Sequence, residues 1–163
     1  MIRHLLGLLA VLLLPPVAAA AQNGSIAVFA VEFVNTSLEA TRADERARLA
    51  MLDGELRAAL EARGYRLVDT APVADRAGAY ASLRECNGCE VALARALGAD
   101  HAALAWVQKV SNLILNLTVK ITDTASGAVV RSGWVSIRGN TDESWSRGLR
   151  YLLKNVIFAE RRS

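Results

Sequence analysis

HAALAWVQKVSNLILNLTVKITDTASGAVVRSGWVSIRGNTDESWSRGLRYLLKNVIF, residues 101–158, is the stretch that decides the fold. It reads as a strand at 101–108, a short turn, a long alternating strand at 113–123, a tight connection, a third strand at 129–138 and a closing helix. In the middle strand Leu113, Leu115, Leu117, Val119 and Ile121 share one face, while Asn116, Thr118 and Lys120 share the other. That period of two belongs to a sheet with one buried face, and Ile114 is the apolar exception. In the helix Trp145, Leu149, Leu152, Leu153, Val156 and Ile157 recur at helical spacing. A stripe of this kind needs a sheet to bury it, so meander and helix are each other's partners.

Upstream, residues 25–34 (SIAVFAVEFV) form a nearly continuous apolar run whose length and β-branched content predict a central strand. Over residues 43–63 the period changes. Leu49, Leu52, Leu56 and Leu60 lie on one helical face and Gly64 follows as a stop. The charge run Asp44-Glu45-Arg46-Ala47-Arg48 reads as a solvated helix face. A short strand is expected at 65–68, a connecting loop at 69–79, a turn of helix starting at 82–85, and a helix from residue 89 or 90 to 97 ended by Gly98. The loop 123–127 suits a type I turn with Gly127 left-handed. The order strand, helix, strand, helix, three strands, helix predicts an α/β single domain. Its sheet is mixed, with helices packed mainly on one face, because strand-helix-strand units pair in parallel and tight turns pair antiparallel.

Residues 1–21 read as a cleaved signal peptide. Arg3 and His4 give a basic start, residues 5–14 an apolar core, and Ala19-Ala20-Ala21 a small-residue cut site before Gln22. The apolar run is too short to span a bilayer, and with no cysteine near the cut no lipid anchor is expected. About 140 residues then remain as one secreted domain in the periplasm. The formal charge of +3 becomes +2 without Arg3, and bases are interleaved with acids, which speaks against a nucleic-acid partner. The one concentrated basic group is Arg161-Arg162.

Three groups of residues carry the candidate chemistry. Cys86 and Cys89 form a Cys-x-x-Cys pair where a helix begins, in a compartment where disulfides persist. The pair reads as a structural disulfide, as a thiol-disulfide exchanger activated by the helix dipole, or as a two-thiolate site for a soft ion such as Cu(I). A structural zinc site wants four ligands, and beyond the cysteines the mature chain offers only His101 as a histidine, expected at an exposed strand end. Covalent haem needs histidine directly after the second cysteine, where Glu90 stands. The second group is the loop at 138–145, in which Asn140 or Thr141 caps the closing helix, Asp142 and Glu143 suit its positive end, and Asn140, Asp142, Glu143 and Trp145 could form a polar-aromatic recognition surface. The third is the loop at 108–112, where Lys109 and Asn112 are partner-binding candidates and Ser111 lacks a nearby base. There is no Gly-rich phosphate loop, and no cofactor, resident metal or catalytic residue is expected. Gly133, inside a strand, marks a bulge or close packing.

Four ordered blocks carry a resemblance: Cys86-Asn87-Gly88-Cys89-Glu90, Leu97-Gly98-Ala99-Asp100, residues 106–116 and residues 138–145. With them the chain resembles the bacterial secreted proteins grouped as domains of unknown function 2380 and 3280. More distantly, an opening apolar strand followed by helix, strand and Leu-Gly-Ala-Asp is similar to the amino-terminal domain of TolB and to the curli-secretion protein CsgG. The resemblance implies a mixed sheet with helices and a role in binding or assembly at the envelope, without an enzymatic activity. The expected function is therefore an accessory protein that recognises a periplasmic or envelope protein, with redox or copper chemistry at Cys86 and Cys89 as the alternative.

Overall fold

The computed structural model describes residues 23–159. The expected signal peptide at 1–21, its cut before Gln22 and the Arg161-Arg162 pair lie outside the described residues. The elements are β1 (Ser25–Val28), β2 (Glu32–Asn35), α1 (Ala43–Glu61), β3 (Arg66–Val68), a 3-10 turn (Ala71–Val73), α2 (Ala74–Gly78), α3 (Cys89–Ala96), β4 (His101–Lys109), β5 (Ile114–Asp123), β6 (Val129–Arg138), α4 (Asp142–Leu152) and a π turn (Leu153–Ile157). The strands form one mixed sheet in the order β3-β1-β4-β5-β6, with β2 also on β4. β1 pairs in parallel with β3 and β4, and β2 in parallel with β4; β4, β5 and β6 are the expected antiparallel meander. No helix among the described residues is long and apolar enough to cross a membrane.

The expected single strand at 25–34 is broken. Val28 stands opposite Ala103 and Glu32 opposite Trp106, so residues 29, 30 and 31 face only residues 104 and 105. One extra residue is a β-bulge, and it reverses which face the following side chains take. Ile26 and Val28 enter one core before the bulge, Val31 enters the same core after it, and Phe33 packs against it.

That main core lies under α1 and α4. Leu52, Leu56 and Leu60 of α1 and Trp145, Leu149 and Leu152 of α4 pack on Val107, Leu115, Leu117, Val119 and Ile121. Each fully buried leucine is worth roughly 1.5–3 kcal/mol in transfer free energy. A smaller core on the opposite face joins Ala27, Phe29, Ala102 and Leu104 to Leu93 and Ala94 of α3 and to Val73. The two long helices thus share one face, while the short elements cover the other mainly over β1 and the first half of β4.

The motif at 97–100 has a structural explanation. Gly98 ends α3 in the left-handed region, and the Asp100 carboxylate accepts from Ser25 N–H and Ser25 Oγ–H, both at 2.7 Å. Those bonds, the backbone one first, hold its pKa below the usual aspartate value and lock the starts of β1 and β4 together.

Several local expectations need correction. Residues 69–79 are not a bare loop: Pro72 opens a 3-10 turn anchored by buried Val73, and the alanine-rich segment after it winds into α2. Residues 82–85 form no helix, because the Glu32 carboxylate captures Ser82 Oγ–H and the N–H groups of Leu83 and Arg84 at 2.6, 2.7 and 3.4 Å. Leu113 lies before β5 and is 72% exposed, since the turn spends residues 111–113 on reversing the chain. Val156 also departs from the buried stripe, because the helix widens into the π turn at its end. The hairpin at 123–127 matches expectation, with Gly127 at φ +73° and its N–H donating to Asp123 C=O at 2.9 Å.

Gly133 is a site of close approach. A Cβ there would overlap Val156 Cγ1 and lie 3.3 Å from Ile157 Cδ1. Gly133→Ala is expected to destabilise by about 1–3 kcal/mol through overpacking, and Val156→Ala in the same chain is expected to restore most of that. Urea unfolding of the single and double variants checks this; equal losses in both would show that Val156 is not the obstacle.

Candidate binding site at the carboxyl end of the sheet

β1 lies between β3 and β4. The crossover through α1 runs over one face, and the crossover through α2 and α3 over the other, so the segments leaving β1 and β3 diverge. A crevice outside the carboxyl ends of such strands is the usual ligand position in open α/β sheets. Here it is a groove of about 980 Å³ whose walls include Phe29, Phe33, Tyr80 and Leu83, with Arg57, Arg84, Glu32 and Asp69 as its charged groups. The bulge at 29–31 forms part of its wall. Arg57 is held by Asp53 at 2.7 Å and donates to Val28 C=O at 2.7 Å. The Arg84 guanidinium lies 5.9 Å from the Trp106 ring centroid and is paired to Glu85, yet its Nε–H is buried with no acceptor. The nearest Glu32 oxygen stands at 4.0 Å, beyond hydrogen-bond reach.

Beside the groove, the loops that follow β2, β4 and β6 meet the start of α1 in one polar cluster. Lys109, fully buried, donates to Glu45 at 2.7 Å and to Glu39 at 3.0 Å. Asn140 donates to Glu45 at 2.6 Å and accepts from Trp145 Nε1–H at 3.0 Å and Arg48 at 3.2 Å. Arg48 also holds Asp142 at 2.7 Å and Asp44 at 2.9 Å. Asn112 donates to Glu39 at 2.7 Å. The second Glu45 oxygen accepts from Arg42 N–H at 2.8 Å, which covers one orphan donor at the start of α1.

Burial alone would raise the Glu45 carboxyl, but the bonds from Lys109, Arg42 N–H and Asn140 outweigh it and hold its pKa below the ordinary value. Glu39 is lowered chiefly by Lys109. Burial likewise pushes Lys109 down, and the two carboxylates more than reverse it, leaving it raised. Carboxylates depressed by folding contribute stability that is present above their unfolded pKa, about 4.3, and lost as pH falls through the folded values. The raised lysine contributes stability that is present below about 10.4 and lost as pH rises through its folded value. Thermal stability is therefore expected to be level between these limits and to fall on both sides. A melting series across pH checks this, and Lys109→Met should weaken both limbs; limbs unchanged in that variant would assign them to other groups.

Of the residues singled out from sequence, Lys109, Asn112, Asn140, Asp142 and Trp145 are brought into this one network. Lys109, Asn140 and Trp145 form its interior, and Asp142 and Glu143 are exposed. Thr141 is the helix cap, accepting from Ser144 N–H at 3.2 Å, so Asn140 is free to turn inward. Glu143 lies at the surface within 3.4 Å of Arg147. Ser111 serves the turn, its Oγ accepting from Leu113 and Ile114 N–H at 3.2 Å.

Sequence reading missed Glu39, Glu45, Arg48, Glu32 and Arg84. The run at 44–48 is not simply a solvated face, because Glu45 and Arg48 are buried. The available signal was spacing: 45, 48, 52 and 56 continue the apolar stripe of α1 toward its start.

Cys86 and Cys89 are joined by a disulfide across the loop that enters α3. Cys86 is partly exposed and Cys89 buried. Ligand atoms of Cys86, Cys89 and Glu90 lie within 4.8 Å of one another, but the bonded sulfurs are not thiolates, and Glu90 is engaged by Lys120 at 2.7 Å. His101, expected to be exposed, is half-buried edge-on to the Tyr65 ring at 5.7 Å.

The fold is shared with several solved structures. The LpoB C-terminal domain from Salmonella enterica superposes with TM-score 0.53 at 17% identity, covering 74% of this chain and 87% of that one. The LpoB C-terminal domain from Escherichia coli gives 0.51 at 18% identity, over 70% and 82%. Lipoprotein GNA1162 from Neisseria meningitidis gives 0.52 at 19% identity, over 73% and 83%. Among curated proteins no sequence matches. The family DUF3280, described as "Protein of unknown function (DUF2380)", matches residues 24–157. With nearly every described residue inside that match, the chain belongs to the DUF3280 family.

Proposed function

We propose that this chain is a non-catalytic accessory protein of the periplasm that recognises an envelope or periplasmic protein at the carboxyl end of its sheet. The carrying observation is the groove beside Arg84. The Arg84 guanidinium borders it with 28% of its side chain exposed, so a carbonyl or carboxylate of an incoming partner can pair with its accessible N–H groups, while Phe29, Phe33 and Tyr80 supply apolar contact. Asn112, Asp142 and Glu143 form the polar rim of the same surface, and Lys109, Asn140 and Trp145 hold that rim in place. The secretory start of the sequence supports the compartment, and the fold shared with lipoprotein GNA1162 supports the envelope setting.

The test is site-specific photo-crosslinking in cells with the probe at Tyr80 or Leu113, both exposed near this end, and at Ala125 in the opposite hairpin. One discrete protein adduct from the first two sites and none from Ala125 is expected, with Arg84→Gln weakening it. Adducts only from Ala125, or none from any site, would overturn the reading.

A second reading is favoured by one observation, the partly exposed residue Cys86 beside the start of α3. It assigns thiol-disulfide exchange or soft-metal handling to Cys86 and Cys89. Intact mass with and without alkylation, plus elemental analysis, decides between the two: a metal-free bond with a potential below about −300 mV marks a brace, whereas free thiols, bound copper or a readily reduced bond moves the function to the pair.

A further inference from the structure

β6 is the terminal strand of the sheet, ten residues long. Its outer edge therefore carries a row of backbone N–H and C=O groups that no strand of the described residues pairs. Natural edge strands are blunted by proline, by inward charges or by being short. β6 has no proline, its inward charge Arg131 and its bulge at Val130 both lie in its first three residues and leave residues 132–138 regular, and Val129, Val130 and Trp134 are exposed at 54%, 45% and 64%. Along this edge runs a second groove, of about 470 Å³, between Val135 and Ile137 of β6 and Arg147 and Tyr151 of α4. It has the position an added strand would take.

The charge around the groove selects the occupant. Arg138 and Arg147 line it, Arg150 of α4 and Lys154 of the π turn are exposed beyond it, and among the described residues the one carboxylate within ion-pair distance of any of the four is Glu143, at 3.4 Å from Arg147. A second copy docked edge to edge would bring two α4 cationic rows together, and like charges across an interface disfavour that pairing. We propose that the β6 edge takes an extended, acidic segment of a partner protein as an additional strand, with main-chain bonds to β6 and carboxylates on the α4 cations. This deepens the partner-binding reading and rests on it for the class of occupant, but not for the place of binding.

The experiment uses the purified chain and a synthetic peptide alternating glutamate with valine; the lysine-valine counterpart is the control. Binding is followed by Trp134 fluorescence and by hydrogen exchange of the β6 amides. The acidic peptide is expected to bind, to protect the β6 amides and to weaken as salt rises. The triple variant Arg147→Glu, Arg150→Glu, Lys154→Glu is expected to lose about tenfold or more in affinity. Failure to bind, binding without β6 protection, or equal binding of dextran sulfate or anionic phosphatidylglycerol vesicles would overturn the proposal, as would a β6-paired dimer. Crosslinking from Ser136 separates the two readings: an adduct at Tyr80 and none at Ser136 removes only the β6 proposal, and none at either removes both.

Discussion

Lys109→Met should lower unfolding free energy by about 3–5 kcal/mol, because it removes one partner of a buried ion pair and leaves the other charge enclosed. Glu45 is fully buried, and without the ammonium its carboxylate keeps only Asn140 and Arg42 N–H as donors. In a domain of this size such a loss corresponds to a fall in Tm on the order of 10–20 °C. Replacing both members, Lys109→Met with Glu45→Met, is expected to recover much of it, since an apolar pair of similar volume avoids the desolvation cost altogether. Thermal and urea unfolding of the single and double variants measures this. A single variant within about 1 kcal/mol of the parent would mean that water or a shift of Arg48 compensates the charge.

Comparable damage is expected from Trp145→Ala, about 3–5 kcal/mol. The indole is fully buried, packs at 6.1 Å centroid distance on Phe33, and donates to Asn140. Truncation opens a cavity between α4 and the sheet and removes one of two donors to Asn140 Oδ1. Trp145→Phe isolates the second effect: it keeps most of the apolar volume and should cost clearly less than alanine. Because Trp145 binds Asn140 directly and Lys109 is linked to Asn140 through Glu45, the Trp145→Ala, Lys109→Met pair is expected to be non-additive, with a coupling of roughly 0.5–3 kcal/mol. Strict additivity in urea unfolding would show that the cluster does not act as a unit.

The meander and α4 were legible because each has one wet face, so alternation in β5 and the stripe from Trp145 to Leu153 betray their partners directly. β1 and β2 hid their break for the opposite reason. Residues 26–31 are all apolar and all but Ala30 are buried, so a one-residue insertion leaves no mark in the pattern. The polar cluster was half visible. Lys109, Asn112 and Asn140 stand out as polar residues at a strand end or in short turns, whereas their acidic partners sit in a helical charge run and a loop far away in sequence. Distance in the chain hid Glu32 too, because its role is to bind backbone N–H groups about fifty residues later. The groove depends on where two crossovers diverge, which follows from strand order rather than from any local motif.

The extra residue between β1 and β2 also fixes where this chain can change length. Loops such as 123–127 end in solvent and tolerate insertion, but deletion of Ala30 would rotate every later side chain of β2 by half a turn. Phe33 would leave its place against Trp145 and Glu32 would enter the main core, abandoning Ser82 and Leu83. A single missing codon would thus dismantle the groove wall and the stacking under α4 together, so the reading frame of β2 is set in space by one alanine whose own side chain is exposed.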